Sequence, residues 1–484
     1  MANNQQHQNH PPPPLGSRIA IIGAGVSGLA AAKQLRHYEP VVFEASDCVG
    51  GVWKSCSYES TKLQSSRVDY EFADFPWPNR DDQSFPSYVE VLEYLESYGK
   101  HFDVLKFVKF NSKVVDLRFI GEPPTAADFG GERPGEYGSL LPGQQWHSFE
   151  FVVVCSGKYG DIPKIPVFPN HKGPETFKGQ VLHSIDYCKL DKEAASQLLK
   201  GKKVAIVGFK KSAIDLALET RRATMYDACK DTTLDCSSLL GMGTLLCLLL
   251  SPMRRGISKF IESYLLWKLP LLKYGLKPDH PFEEDYASCQ MAIIPENFFA
   301  EADKGKIVFK RALSKWWFYE GGIEFEDSTR LEADVVVLTT GYDGKKKLKA
   351  ILPEPFRSLL ELPSGLLPLY RGTIHPLIPN MAFLGHIESV ANLHTSELRS
   401  IWLGRLVDNK FKLPSVEEMI EQTSKEMEIM RQSTRFFKRH CISTFSINHS
   451  DEICEEMGWN AWRKKNWLLE AFSPYSSQDY VENK

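Results

Sequence analysis

The chain has 484 residues, 43% of them hydrophobic and 25% charged, a globular composition with length for two or three compact lobes. A formal net charge of -3 gives no basis for a nucleic-acid binder, which needs a clustered basic footprint. The 10 cysteines show no CxxC pair and no regular spacing, so they read as reduced thiols of a cytosolic protein.

In chain order, residues 1–17 are polar and Pro-rich, lack the apolar stretch of a signal peptide, and are expected to be disordered. Residues 18–22 are a short β-branched run that ends in Gly23-Ala24-Gly25-Val26-Ser27-Gly28. A helix-like stretch 29–38 follows, and Val41-Val42-Phe43-Glu44 makes a second strand. In such a turn Gly23 permits the tight bend, Gly25 lets backbone approach a pyrophosphate, and Gly28 lets helix pack on strand. Amides opening the helix then meet phosphate along the favourable direction of the helix dipole. Glu44 lies about twenty residues after the first glycine, where an acid accepts from a ribose hydroxyl and repels a 2′-phosphate. The site therefore suits FAD or NAD better than NADP. The next turn, Gly50-Gly51-Val52-Trp53, brings backbone toward the other half of the same cofactor, with Gly51, Val52 and Trp53 as contacts.

A meander is expected from 114–118 and 146–154, around a Gly/Pro-rich loop at 121–143. A second cycle opens at 203–207, turns at Gly208-Phe209-Lys210-Lys211-Ser212-Ala213, and enters a helix over 212–220. A working βαβ unit then needs another strand, but 221–232 offers no β-branched run, so none is expected there. A similar meander is expected from 307–310, 316–319, 323–326 and 334–338. This internal echo predicts an α/β protein with two Rossmann-like dinucleotide-binding domains, β-meanders and a C-terminal helical segment. Ser415-Val416-Glu417-Glu418 is a capping box that starts a helix reaching about residue 438. The uncharged stretch 236–253 reaches the length of a marginal span, weakened by Gly, Ser and Pro, and it leaves membrane association open. No zinc cysteine pairs, HExxH or nucleophilic triad is present, so no metal site is expected.

Several of these segments resemble the flavin-containing monooxygenases. Glu44 to Trp53 resembles that family's acid-then-GGxW element, and Phe177-Lys178-Gly179-Gln180-Val181-Leu182-His183-Ser184-Ile185-Asp186-Tyr187 matches its FxGxxxHxxxY sequence. Thr340-Gly341-Tyr342 and Cys155-Ser156-Gly157 look like its two crossings between domains. Lys210-Lys211-Ser212-Ala213-Ile214-Asp215 and Ile374-His375-Pro376 are similar to the plant branch whose best-known member N-hydroxylates pipecolic acid.

The resemblance implies FAD on the first turn and NADPH on the second. It implies N- or S-oxygenation of a small amine or sulfur substrate with O₂, through a flavin C4a-hydroperoxide. The implied domains are 18–175 with 330–484 for FAD and 176–329 for NADP, atypical at 221–257. Gln64, in Leu63-Gln64-Ser65-Ser66, stands where relatives place an asparagine near the flavin, and is the candidate catalytic residue. His183 reads as a hydrogen-bonded structural histidine. Lys210 occupies the place of the family's second glycine, and Ala213 is a tolerable third position. A strand and a long insert expected after residue 220 look missing or replaced. A flavin-binding relative without turnover therefore stays open beside the monooxygenase. A flavin disulfide oxidoreductase using Cys48 and Cys56 has the wrong cysteine spacing. The expected location is cytoplasmic, with association to the endoplasmic reticulum membrane left open.

Overall fold

The computed structural model describes residues 17–120, 143–220, 223–227, 254–290, 292–295, 297–311, 315–360, 362, 364–443, 446–473 and 475–481. Short, continuously apolar strands build the architecture. β1 (Ile19–Ile22), β2 (Val41–Phe43), β3 (Val108–Lys109), β4 (Phe151–Val154) and a late strand, β13 (Met381–Phe383), form one five-stranded sheet in the order β13-β4-β1-β2-β3. All of its pairs are parallel. A second sheet takes β5 (Gln180–His183), β6 (Val204–Val207), β7 (Ala223–Asp227), β8 (Ile307–Arg311) and β12 (Val335–Leu338), in the order β5-β12-β6-β7-β8, again all parallel. Every residue of β1, β6 and β12 is buried. Parallel strands covered on both faces need such unbroken apolar runs rather than alternation.

The helix Val26–Gln34 leaves the first turn with Ser27 to Ala32 buried, and packs against the helix Asn392–Val407. It is shorter than the expected 29–38, because Arg36–Tyr38 tightens into a separate 3₁₀ turn. The second helix, Lys211–Thr220, begins one residue earlier than expected.

The strand expected to be missing after this helix is present. β7 pairs with β6 (Val204 opposite Ala223, Val207 opposite Tyr226) and with β8 (Ala223 opposite Ile307, Asp227 opposite Arg311). Its sequence contains one β-branched residue, but a central parallel strand is hydrogen-bonded on both sides, and that context overrides weak propensity.

The expected first meander is not formed. Residues 111–120 contain no strand, and 151–154 runs parallel between β1 and β13. Val114 and Leu117 pack instead on the cluster of Leu348, Leu352, Phe356 and Phe383, with Leu117 N–H donating to Ile351 O at 2.8 Å. Of the second meander, only β9 (Trp316–Tyr319) and β10 (Gly322–Phe325) pair antiparallel, and the third strand of their sheet is one not expected, β11 (Arg330–Glu332). The flanking runs 307–311 and 335–338 are drawn into the large parallel sheet, as befits fully buried apolar strands.

Ser415 does cap a helix, Val416–Ser433, through a capping box with Glu418. That helix stops short of residue 438, where Thr434 turns extended, its Oγ1 donates to Glu284 O at 3.1 Å, and Arg435 pairs with the Glu284 carboxylate.

The reading of the cysteines as reduced thiols fails for two of them. Cys289 and Cys441 form a disulfide with Cα atoms 5.8 Å apart, across 152 residues of sequence. No spacing pattern exposes a pair that only the tertiary fold brings together. Among the described residues no helix is long and apolar enough to cross a membrane. The stretch 236–253, most of the loop 121–143 and residues 1–16 lie outside the described residues, while Ser17 is buried.

Candidate active site

The three glycines of the first turn stand under three different constraints. Gly23 sits at φ +101°, and a β-carbon there would lie 2.7 Å from Cys155 O. A β-carbon on Gly28 would lie 1.8 Å from Gly23 O, so strand and helix meet only over glycine. Gly25 is different: its φ of -77° suits any residue, and a β-carbon would have only Gly51 Cα at 3.6 Å and Gly51 N at 3.9 Å within reach. Nothing in the protein demands a glycine at 25, whereas a phosphate approaching the opening amides would.

Ala24 N–H donates to Glu44 Oε2 at 2.7 Å, while Ser46 N–H (2.8 Å) and Ser46 Oγ (2.6 Å) donate to Glu44 Oε1. The acid is thus locked at the end of β2, facing the cavity. The Gly50-Gly51 turn docks on the first turn through Gly50 N–H to Ala24 O at 3.1 Å. Val52 and Trp53 open the short helix Val52–Ser55, and Trp53 Nε1 donates to Tyr70 OH at 2.9 Å.

At the second turn Gly208 stands at φ +133°, where a β-carbon would meet Thr339 Oγ1 at 2.3 Å. Phe209 is buried against Phe298 and Phe309. Ala213 is fully buried and its N–H donates to Lys210 O at 2.8 Å. Lys210 Nζ donates to Gln290 Oε1, and Lys211 pairs with buried Asp215 one helical turn on. Burial pushes the Asp215 carboxyl up to about 6 against the pull of Lys211.

Both turns open into one cavity of about 2120 Å³. Its wall includes Gly23, Gly25, Val26, Ser27, Glu44, Gly51, Val52 and Trp53 from the first half, with Gly208, Phe209, Lys210, Lys211 and Ser212 from the second. Gln64 also lines it, its Oε1 accepting from Ile293 N–H at 3.0 Å. Ala24, Gly28 and Ala213 stay off the wall. Pockets for one drug-sized ligand measure roughly 300–1,000 Å³, so this cleft is larger than one such ligand needs.

His183 caps the helix Ser184–Tyr187, its Nδ1 accepting from Ile185 N–H at 3.2 Å, and its ring meets Tyr342 edge-on at 5.3 Å. Burial lowers its pKa, and it does not line the cavity.

Sequence reading missed a further part of the wall. Ser156 Oγ and His386 Nε2 are buried, line the cavity and have no protein partner among the described residues. A bound cofactor with hydroxyl and carbonyl groups would satisfy them. Burial pushes His386 down to about 4, with Lys347 and Lys158 adding to the effect, so it presents a neutral imidazole. Beside it, buried Glu388 accepts from Lys158 Nζ (2.7 Å), Arg439 Nη2 (2.8 Å) and Tyr159 OH. Burial alone would raise the Glu388 carboxyl, but the charges of Lys158 and Arg439 outweigh it and hold it low. Lys345 is pushed down to about 8 by burial and by the neighbouring charges of Lys158, Lys349 and Lys438. One signal was available for it: Gly385 follows the apolar run of β13 as Gly23 follows β1.

The sequence matches the family described as flavin-binding monooxygenase-like over residues 16–232 and 246–467. The break, 233–245, falls within the stretch 221–257 read as atypical. Probable flavin-containing monooxygenase 1 of Arabidopsis thaliana is 63% identical, covering 96% of this chain and 96% of that protein. The alignment spans 514 positions against 484 residues here, so that relative carries residues with no counterpart in this chain.

Solved structures share the fold. S-allyl-L-cysteine S-oxygenase from Allium sativum has a TM-score of 0.58 at 21% identity, covering 91% of this chain and 88% of its own. An oxidized steroid monooxygenase bound to NADP has a TM-score of 0.64 at 16% identity, covering 91% and 97%. The turns, the shared cavity and these matches converge: the chain belongs to the flavin-binding monooxygenase-like family and is a flavin-dependent monooxygenase.

Proposed function

We propose that this enzyme takes reducing equivalents from NADPH at its second glycine turn and places one oxygen atom of O₂ on the nitrogen or sulfur of a small nucleophile. The observation that carries this reading is that both glycine turns and Gln64 line one cavity. Residues 18–175 with 330–484 act as the FAD-binding domain and 176–329 as the NADP-binding domain. FAD lies on the Gly23–Gly28 turn, with Glu44 on its ribose and Gly51, Val52 and Trp53 along its further half. NADPH lies on Gly208, Phe209, Lys210, Lys211 and Ser212. The sulfur substrate in the name of the Allium sativum enzyme and the NADP bound to the steroid monooxygenase support the same assignments here.

When bound, the two cofactors supply the reduction and the oxygen activation, so the chain itself forms no covalent bond to substrate. The protein's part is placement. Amides at the start of Val26–Gln34 stabilise phosphate charge. The Gln64 side chain, held by the Ile293 amide, presents an amide to the meeting point of the two ligands. Trp53 and Tyr70, joined edge to face at 5.9 Å, wall that point against water.

The test is aerobic turnover with NADPH, an amine or thioether, and isotopically heavy O₂. The reading expects substrate-dependent NADPH consumption and one heavy oxygen atom in the N- or S-oxide. Product without the label, or no product from any soft nucleophile, would leave a flavin-binding protein without this activity.

A further inference from the structure

The helix Gly344–Ile351 brings two lysines to the cavity wall, and the fold treats them differently. Lys347 is satisfied: its Nζ donates to Ser156 O at 2.6 Å and pairs with Asp161 at 2.8 Å. Lys345 is half-buried, and its ammonium has no hydrogen-bond or ion-pair partner among the described residues.

Backbone packing fixes where Lys345 stands. Gly344 meets the crossing after β4 so closely that a β-carbon on it would lie 2.3 Å from Lys158 O. Asp343 N–H donates to Ile162 O at 2.9 Å, and the Asp343 carboxylate caps the helix by accepting from Lys346 N–H at 2.9 Å. A second lysine arrives from the C-terminal part of the chain. A β-carbon on Gly365 would lie 3.2 Å from Lys345 Nζ, and 3.6 and 3.7 Å from Lys438 Cδ and Cγ. Lys438 is exposed, lines the cavity and likewise has no hydrogen-bond or ion-pair partner among the described residues.

The charged and titratable groups facing Lys345 are Lys158, Lys349, Lys438, Asp343 and the neutral ring of His440. Burial and the three lysines lower its pKa to about 8, and Asp343 opposes them only weakly. The carboxylate nearest by, Glu388, is already shared between Lys158 and Arg439. A partly desolvated ammonium among like charges, on the wall of a cavity, is suited to an incoming anion.

Topology says which anion. With the cofactors placed as proposed above, each dinucleotide crosses its sheet where the strand order reverses. That point lies between β1 and β4 in one sheet and between β6 and β12 in the other. The pyrophosphates then rest on the turns at Gly23 and Gly208, with the adenosine halves toward β2 and β7. Lys158 follows β4 and Lys345 follows β12, so both stand on the flavin and nicotinamide sides. The substrate, rather than a cofactor phosphate, brings the anion to this corner.

We propose that Lys345 and Lys438 form an anion subsite at the reacting end of the cavity, which selects a soft nitrogen or sulfur nucleophile that carries a carboxylate. This rests on the cofactor placement and the oxygenation proposed above.

The test titrates (methylthio)acetate and its uncharged amide, (methylthio)acetamide, into the full-length, FAD-loaded, oxidised protein by calorimetry. The wild type is expected to bind the carboxylate about tenfold more tightly than the amide. Lys345→Met should bring the two within about twofold of each other. Lys438→Met should weaken the carboxylate about threefold and flatten its salt dependence, as befits an exposed charge. Neither variant should alter binding of the amide. At pH 8 the wild type should take up about half a proton with the carboxylate, because free Lys345 is half-protonated there, and the uptake is read from buffers of different ionisation enthalpy. Lys345→Arg should keep the preference and lose the proton uptake, since a guanidinium stays charged. A merely structural Lys345 would move neither readout.

The proposal is overturned if the wild type binds the carboxylate no better than the amide, binds neither, or keeps its preference in Lys345→Met. Should Lys345→Met fail to fold, Lys345→Arg and Lys438→Met decide by the same criteria. Equal oxygenation of both probes would sink the subsite and leave the proposed function standing. A carboxylate preference in binding, with no oxygenation by NADPH and O₂, would sink that function and leave the subsite.

Discussion

Replacing Gly25 by alanine separates the needs of the fold from those of the ligand. The backbone there is φ -77°, ψ -168°, open to any residue, and the added methyl would touch only Gly51, at 3.6 and 3.9 Å. The unliganded protein should therefore keep its stability to within about 0.5 kcal/mol, as at other unstrained sites. The cofactor faces the opposite situation. With FAD on this turn as proposed, the methyl would stand between the opening amides of Val26–Gln34 and the phosphate, and each charge-assisted hydrogen bond lost costs about 1.5–3 kcal/mol. That predicts FAD affinity lower by roughly 10- to 150-fold. Gly28→Ala is the contrasting control, since its β-carbon would lie 1.8 Å from a backbone oxygen and the fold itself must yield. The assay pairs thermal melting of the cofactor-free proteins with FAD titration by fluorescence quenching. If Gly25→Ala folds and binds FAD as tightly as the wild type, the assignment of this turn to the pyrophosphate is wrong.

Other residues make separate claims. Glu397 is 2% exposed, and burial pushes its carboxyl up to about 7, partly opposed by the Ala73 amide and Lys33. The folded state thus holds this proton more tightly than the unfolded chain. Its stabilising contribution is full below the unfolded value of 4.5 and is lost as pH rises through about 7. Glu397→Gln should gain on the wild type as pH rises, by about 3 kcal/mol on the alkaline side, and parallel melting curves across pH would refute it. Glu388→Gln leaves Lys158 and Arg439 facing a neutral amide in a buried site, and should destabilise by about 3 kcal/mol in a denaturant melt. An unchanged midpoint would show that the three groups are not coupled. Gln64→Leu removes the acceptor of the Ile293 amide and should slow flavin reduction while leaving FAD content intact. Equal reduction rates would remove Gln64 from the site.

The first glycine turn was legible because its geometry is local: strand, glycines, helix and acid lie within one short stretch, and each has a compositional mark. The two-sheet architecture was legible for the same reason, through the apolar runs at 19–22, 204–207 and 335–338. What failed was non-local. β7 carries too few β-branched residues to announce itself, and it is a strand because Val204–Val207 and Ile307–Arg311 flank it. The Cys289–Cys441 pair and the Lys210–Gln290 contact join residues 152 and 80 positions apart, distances over which composition and periodicity say nothing. The Glu388 corner was overlooked because its charges come from three separate segments. Their meeting is a property of the packed molecule.

The central claim is that a nicotinamide held at the second turn reaches the flavin held at the first, across one cavity. Mixing the FAD-loaded protein with NADPH in a stopped-flow instrument under strictly anaerobic conditions tests it most directly. The account expects saturable, NADPH-dependent bleaching of the oxidised flavin, with colour restored on admitting O₂. A flavin that stays yellow at saturating NADPH would contradict it.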